Sequence, residues 1–253
     1  MSKYDWEGFL QKWNKALIES VSFAKYLKHS GKNFSAEYTL EVLASGWLGY
    51  PGASEEQILE LEKRVGIALP TSYREFLKAT NGWRYAGWFI PRVWSVEKIA
   101  WFAAANQEAI EAWKHGAELA LEYSDIEPDI PSVPDEEYFV YGYDQFTYNF
   151  RFEYLDNTLE ISDHEIAGTG VYMLNPQVVF PDGEWEAWFY AHWLPGAIRY
   201  QSFWELMQAE YSTFLANEEA KKWQLAHQAR TQKKPGLLSK ILGNFKSGKS
   251  PKE

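Results

Sequence analysis

Residues 52–82 read GASEEQILELEKRVGIALPTSYREFLKATNG, and this stretch decides the class of fold. Ser54 precedes an apolar series and Gln57 follows it by three positions, the spacing of a capping box. There the hydroxyl accepts from a first-turn amide, and the Gln side chain reaches back to the cap residue's own N–H. Ile58, Leu61 and Val65 then share one helical face, with Leu69 just beyond the helix. Gly66 suits the stop. Leu69-Pro70 turns the chain, because proline disfavours helical backbone in the residue before it. Tyr73, Phe76 and Leu77 supply the apolar face of a second helix, and Asn81-Gly82 is expected to end it, since both residues tolerate positive φ.

Outward from this helical pair the chain changes character. On the N-terminal side, residues 4–28 predict a helix in which Trp6, Phe9, Leu10, Trp13 and Leu17 form one stripe. Residues 36–45 add a short helix before a Gly- and Pro-rich passage at 46–52. On the C-terminal side, segments rich in aromatic and β-branched residues predict strands over 87–93, 138–141, 147–152, 159–162, 171–174 and 184–190. A helical stretch at 103–123 interrupts them, the acidic, Pro-rich segment 126–137 reads as a loop, and a long helix is expected over 202–229. Helices, then a meander of strands, then a closing helix is an α+β order: a mainly antiparallel sheet with helices packed beside it and extra helices at the N-terminus. The expected organisation is an N-terminal extension at 1–45 packed on the core, an α+β domain at 46–230 and a basic tail at 231–253.

Composition narrows the function classes. The 253 residues include 13 Trp, 16 Tyr and 15 Phe and no Cys, so thiolate metal sites, disulfides and a cysteine nucleophile are excluded. No run of about 18 apolar residues occurs, and the first residues lack the basic-then-apolar order of a secretory signal; a cytoplasmic protein is expected. The net charge of −10 is unevenly distributed. Residues 230–253 carry seven bases against Glu253 alone, a net +6, so the rest carries −16. Between Lys114 and Arg199 stand 17 acids and a single base, Arg151. A field of that sign repels nucleic-acid phosphates and attracts basic partners. In the tail, Leu237, Leu238, Ile241, Leu242 and Phe245 can form an apolar face among lysines, a short amphipathic segment with an anionic surface, a partner groove or the chain's own acidic domain as its counterpart.

Catalytic signals are weak. None of the five histidines makes an HxxxH pair, and HExxH, GxxxxGK[ST] and GxSxG are all missing. Asp163, His164 and Glu165 have metal-ligating chemistry but read better as a solvated loop. Acid pairs such as Glu184 and Glu186, two apart and on one face if the segment is a strand, have the chemistry to act on glycosidic bonds, but among 35 carboxylates a chance pair is expected. Trp185 and Trp188, three apart, should point to opposite faces. Nothing calls for a cofactor or a metal.

Taken together, Trp47-Leu48-Gly49, Gly52-Ala53-Ser54, Ile58, Leu61-Glu62, Gly66, Leu69-Pro70, Tyr73, Phe76-Leu77 and Asn81-Gly82 resemble the N-terminal signature of the SUKH superfamily. That superfamily includes the yeast cell-wall assembly regulator and many bacterial immunity proteins. Tyr172 to Pro176, Asp182 to Trp188, and Trp193 to Tyr200 with Ser202-Phe203-Trp204 are similar to the bacterial members. The resemblance covers roughly residues 45–215. It implies an α+β fold without catalysis and, for many bacterial members, binding and blocking of a polymorphic toxin. The expected function is therefore a non-catalytic immunity protein whose partner is a cognate toxin domain, with no nucleic acid and no integral membrane contact. Asp125, Glu127, Asp129, Asp135, Glu136 and Glu137 are the candidate partner-binding residues, because a nuclease site is basic where it holds phosphate. An acidic loop kept for solubility is the competing reading of those residues. A regulatory or scaffold protein of the cell-wall assembly regulator type comes second as a function, and a carbohydrate-binding or hydrolytic protein using Trp and paired acids third.

Overall fold

A computed structural model describes residues 3–23, 36–87, 90–108, 110–111, 133–163, 170–191 and 193–232. The capping box forms as its letters require. The Ser54 hydroxyl accepts from the Gln57 N–H and the Gln57 side chain accepts from the Ser54 N–H at the start of α3 (Glu55–Val65), preceded by α1 (Trp6–Ile18) and α2 (Ala36–Ser45). Gly66 closes α3 in the left-handed region at φ 79°. Helix α4 (Thr71–Ala79) buries Tyr73, Phe76 and Leu77. It stops at Thr80 in extended backbone, one residue before the expected pair. Only Gly82 takes positive φ, at 110°, and a Cβ there would lie 3.0 Å from the Val93 carbonyl oxygen. Asn81 serves differently: its side chain accepts the Val96 N–H at 2.9 Å.

Helix α1 buries Trp6, Leu10, Trp13 and Leu17 in the same core as α3 and α4. The Trp6 indole donates to the Ser72 carbonyl at 2.8 Å. Asn14 receives the Leu48 N–H and donates to the Gly46 carbonyl, so α1 holds the Gly-rich passage in place. The helix ends at Ile18, well before residue 28. Ser20 caps a fresh turn by accepting the Phe23 N–H, and Glu218, from the far end of the chain, accepts the N–H groups of Val21 and Ser22.

The main sheet has five antiparallel strands in the order β3-β4-β5-β6-β7: β3 (Ala100–Trp101), β4 (Leu159–Glu160), β5 (Val171–Val179), β6 (Trp185–Tyr190) and β7 (Ala197–Tyr200). A two-stranded ribbon, β1 (Trp83–Arg84) with β2 (Arg92–Val93), joins it through a bridge from Val93 to Ser162. Alternation sorts the central hairpin cleanly. Tyr172, Leu174, Trp185, Ala187 and Phe189 face the helices, whereas Val171, Met173, Trp188 and Tyr190 face a second, smaller core with Phe102, Ile110, Phe150 and Leu155. Trp185 and Trp188 do point to opposite faces. Every residue of β6 is buried, so this antiparallel strand lacks the alternation of inward apolar and outward polar residues.

Two expected strands are not strands. Residues 138–141 follow α5 (Asp135–Tyr138) and lead into a 3-10 turn at Gly142–Asp144, and residues 147–152 run into another at Phe152–Asn157. Their aromatic content reflects burial, not ladder pairing: Tyr138 and Phe150 are packed inward, and the segment crosses the back of the sheet as a cover. Among the described residues of the 87–93 segment only Arg92–Val93 form a strand, and β7 was legible only as part of a motif. The stretch expected as helix over 103–123 is helical at 103–108 and 110–111; the remainder lies outside the described residues, as does the tail beyond residue 232.

Helix α6 (Phe203–Gln232) closes the fold. Phe203, Leu206 and Met207 enter the core, whereas Leu215, Trp223 and Leu225 farther along are exposed. Glu210 is half-buried as a residue, with its carboxyl turned inward beside the Tyr172 hydroxyl. Burial pushes that carboxyl up to about 7, against the lowering effect of Tyr172. Because the folded value lies above the ordinary one of 4.5, the associated stability is full below pH 4.5 and is lost as pH rises towards about 7. Glu210→Gln keeps an acceptor without the charge. Relative to the parent it should be little changed near pH 4 and more stable by roughly 3 kcal/mol near pH 8. Melting temperatures across that range check this; parallel curves would mean that Glu210 titrates as an ordinary carboxyl.

Candidate functional site

The acidic middle of the chain comes into focus around one buried carboxylate. Glu186 sits in β6 with no exposure, facing the back of the sheet. An ionised carboxylate there needs several donors. It receives the Tyr138 hydroxyl at 2.7 Å, the Tyr141 hydroxyl at 2.8 Å, the Asn175 amide at 3.0 Å and the Trp188 indole at 2.7 Å. The Arg199 guanidinium, from β7, lies 3.4 Å away and is equally enclosed. Burial first, and then the Glu186 charge, push both tyrosine hydroxyls far above their ordinary value, so they remain neutral donors.

This network fixes the cover segment. Arg199 also donates to the backbone carbonyls of Tyr138 and Val140, and its guanidinium stacks over the Tyr138 ring at 4.1 Å. The Gln145 side chain takes the Arg199 N–H at 2.6 Å and gives to the Arg199 carbonyl at 2.8 Å. It thereby satisfies backbone groups on the open edge of β7, where an unpaired ladder would otherwise invite another strand. Gly196 admits the same segment, since a Cβ would lie 2.1 Å from the Thr147 carbonyl oxygen. Arg151 anchors the other end. It donates to the Val133 carbonyl, to the Tyr154 hydroxyl at 3.0 Å and to Asp135 at 2.5 Å, with its guanidinium 4.5 Å from the Tyr138 ring centre.

The six predicted partner-binding acids divide. Asp125, Glu127 and Asp129 lie outside the described residues. Asp135, Glu136 and Glu137 form the first turn of α5, and all three are exposed. Asp135 is tied to Arg151, although its own side chain remains 75% exposed. Asp144 adds an exposed carboxylate farther along the segment. What sequence reasoning missed is the company these acids keep. Phe139, Tyr143, Phe146 and Tyr148 are exposed large rings in the same segment, and Phe146 stacks on Tyr148 at 5.2 Å. The available signal is the run of aromatic residues, of which Phe139 and Tyr148 fall in expected strands and Tyr143 and Phe146 between them.

The acid pair Glu184/Glu186 is not a pair. Glu184 lies in the turn before β6 and crosses to the helical side, where it accepts from the N–H and hydroxyl of Ser72, at the start of α4, and from the Tyr4 hydroxyl. Strand alternation does not apply to a residue outside the strand. The two carboxylates therefore serve opposite faces of the sheet and share no substrate position. Asp163 pairs with Arg92 at 2.7 Å and accepts the Trp94 indole, while His164 and Glu165 lie outside the described residues. Among the described residues no group of three or more His, Asp or Glu is placed to hold a metal ion, and no helix is long and apolar enough to cross a membrane.

Comparison with known proteins matches this architecture. The family model described as SMI1 / KNR4 family (SUKH-1) covers residues 52–208, and the chain belongs to that family. The match runs from the capping box of α3 through the whole five-stranded sheet to the start of α6. No curated protein sequence matches the chain.

The two kinds of charge at this site should separate in a stability measurement. Arg199→Met strips the buried Glu186 of its cation and should cost about 3 kcal/mol. Asp135→Asn removes only the exposed end of a bridge and should cost less than about 1 kcal/mol. Urea midpoints of the two variants check the ranking; equal losses would place Arg199 outside the framework.

Proposed function

We propose that this protein is a non-catalytic immunity protein that neutralises a cognate polymorphic toxin by direct binding, with the acidic cover segment 133–148 as part of the contact surface. Family membership supports an immunity or regulatory role. The observation that carries the finer reading is how the cover segment disposes of its charge. Arg151 and Arg199 are both buried and committed to internal partners, so Glu136, Glu137 and Asp144 face solvent with no exposed base between residues 133 and 163. A surface of one sign raises encounter rates with a basic partner and repels an acidic one. A toxin that grips nucleic acid must be basic where it holds phosphate, and occlusion by carboxylates competes at that place. The buried roles of Glu184 and Glu186 agree with work by fit and charge rather than by bond-breaking.

A regulatory or scaffolding role is the second reading. The exposed Leu215, Trp223 and Leu225 on the outer half of α6 favour it, because they offer a further contact surface away from the acidic segment.

Co-expression with the toxin domain encoded beside the gene tests the first reading. The unaltered protein should restore growth, and the combined reversal Asp135→Lys, Glu136→Lys, Glu137→Lys should weaken binding at least tenfold at low salt, with the loss shrinking as salt rises. Full protection and unchanged affinity in the reversed variant would remove this surface from the function.

A further inference from the structure

The cover segment treats guanidinium groups in one consistent way on its hidden side. Arg199 lies over the Tyr138 ring at 4.1 Å and the Tyr141 ring at 5.3 Å, with Glu186 beside it. Arg151 lies over Tyr138 at 4.5 Å and Phe139 at 5.6 Å, with Asp135 beside it. In each case a planar cation is held between an aromatic face and a carboxylate, the combination that suits arginine better than lysine.

The outer side carries the same residue types, and over Tyr143, Phe146 and Tyr148 no cation is held among the described residues. Tyr143 is fully exposed, Phe146 and Tyr148 are more than half exposed and mutually stacked, and Phe139 is 44% exposed. Glu136 and Glu137 precede these rings in sequence and Asp144 falls between Tyr143 and Phe146, all three exposed. Aromatic side chains, with arginine, are enriched in the buried centres of protein contacts, and charged groups sit at their polar rims. The segment is also held from behind, so little ordering entropy is lost when a partner arrives. Nucleic acid fits poorly, since its bases would stack but its phosphates would meet only acids.

We propose that the stacked Phe146 and Tyr148, together with the exposed Tyr143 and Phe139 and the carboxylates of Glu136, Glu137 and Asp144 on the same segment, form a docking platform for an arginine-rich face of a protein partner. The identity of that partner as a toxin rests on the function proposed above; the platform's chemistry does not.

The test uses the full chain and two peptides, decaarginine and decalysine, titrated calorimetrically at low salt. Decaarginine should bind severalfold more tightly than decalysine. The variant Tyr143→Ser, Phe146→Ser, Tyr148→Ser, whose net charge is unchanged, should bind decaarginine at least tenfold more weakly while keeping its melting temperature. Equal affinities for the two peptides, or equal affinity of parent and variant, would overturn the platform. Zero-length carbodiimide coupling identifies rival occupants. Links within one chain from Glu136, Glu137 or Asp144 to lysines of residues 233–252 would assign the platform to the protein's own tail, and links between chains that follow a concentration-dependent dimer would assign it to a second copy. Either result overturns the proposal. Growth protection separates this idea from the wider one. A variant that loses decaarginine binding but protects fully removes the platform from toxin binding and leaves the immunity role standing. A parent protein that binds decaarginine as described but protects against no neighbouring toxin retains the platform and loses the immunity role.

Discussion

A carboxylate enclosed in the middle of a sheet governs this structure. Every side chain of β6 is buried, and one of them, Glu186, is an acid. Leaving it unpaired would cost more than a domain of this size can spare, so donors must converge on it from outside the strand. Tyr138 and Tyr141 come from the cover segment, Asn175 from β5, Arg199 from β7 and Trp188 from β6 itself. The chain between residues 133 and 157, which carries little regular structure, is thereby pinned across the back of the sheet. Its outward side chains are presented on a fixed support. The requirement to satisfy one charge inside the molecule thus determines which charges and rings are displayed outside it.

The helical half of the fold was legible because its signals are local. A capping box, a left-handed glycine stop and apolar positions three and four apart each act within one or two turns, and α3 and α4 form largely as those signals dictate. The α+β order was legible for the same reason. Strand identity was harder. In a sheet covered on both faces the polar–apolar alternation disappears, so β6 and the aromatic cover segment looked alike although only one pairs. What separates them is long-range: Tyr138 and Tyr141 answer to Glu186, 48 and 45 residues away, and no window along the sequence contains that information.

The acids show the same limit more sharply. Glu184, Glu186, Glu136 and Glu137 are one letter, yet they divide into two that hold the fold together and two that face water. Glu184 receives two donors at the start of α4 and ties the β5–β6 turn to the helical layer; Glu186 does the corresponding task on the other face. Charge counting over residues 114–199 located the acidic region but could not say which carboxylates were already committed. Nor could it say that Arg151 and Arg199 are hidden, which leaves every exposed charge of residues 133–163 acidic.

The two ends of the chain are linked by the same logic of satisfied charge. Glu218, in the middle of α6, is almost fully buried and accepts the N–H groups of Val21 and Ser22 just after α1, with Lys221 beside it. That contact keeps α1 and α6 on one face of the sheet, opposite the acidic cover. Beyond it α6 runs on with Trp223 and Leu225 exposed, and the basic residues 230–253 follow. Along the chain, the seven bases of residues 230–253 follow a long helix, whereas every exposed charge of residues 133–163 is acidic. Charge of one sign on an anchored segment attracts bases and repels acids at long range. That sign follows from which charges the fold has spent on itself, because Arg151, the one base of residues 133–163, is buried against the Tyr138 ring and paired with Asp135.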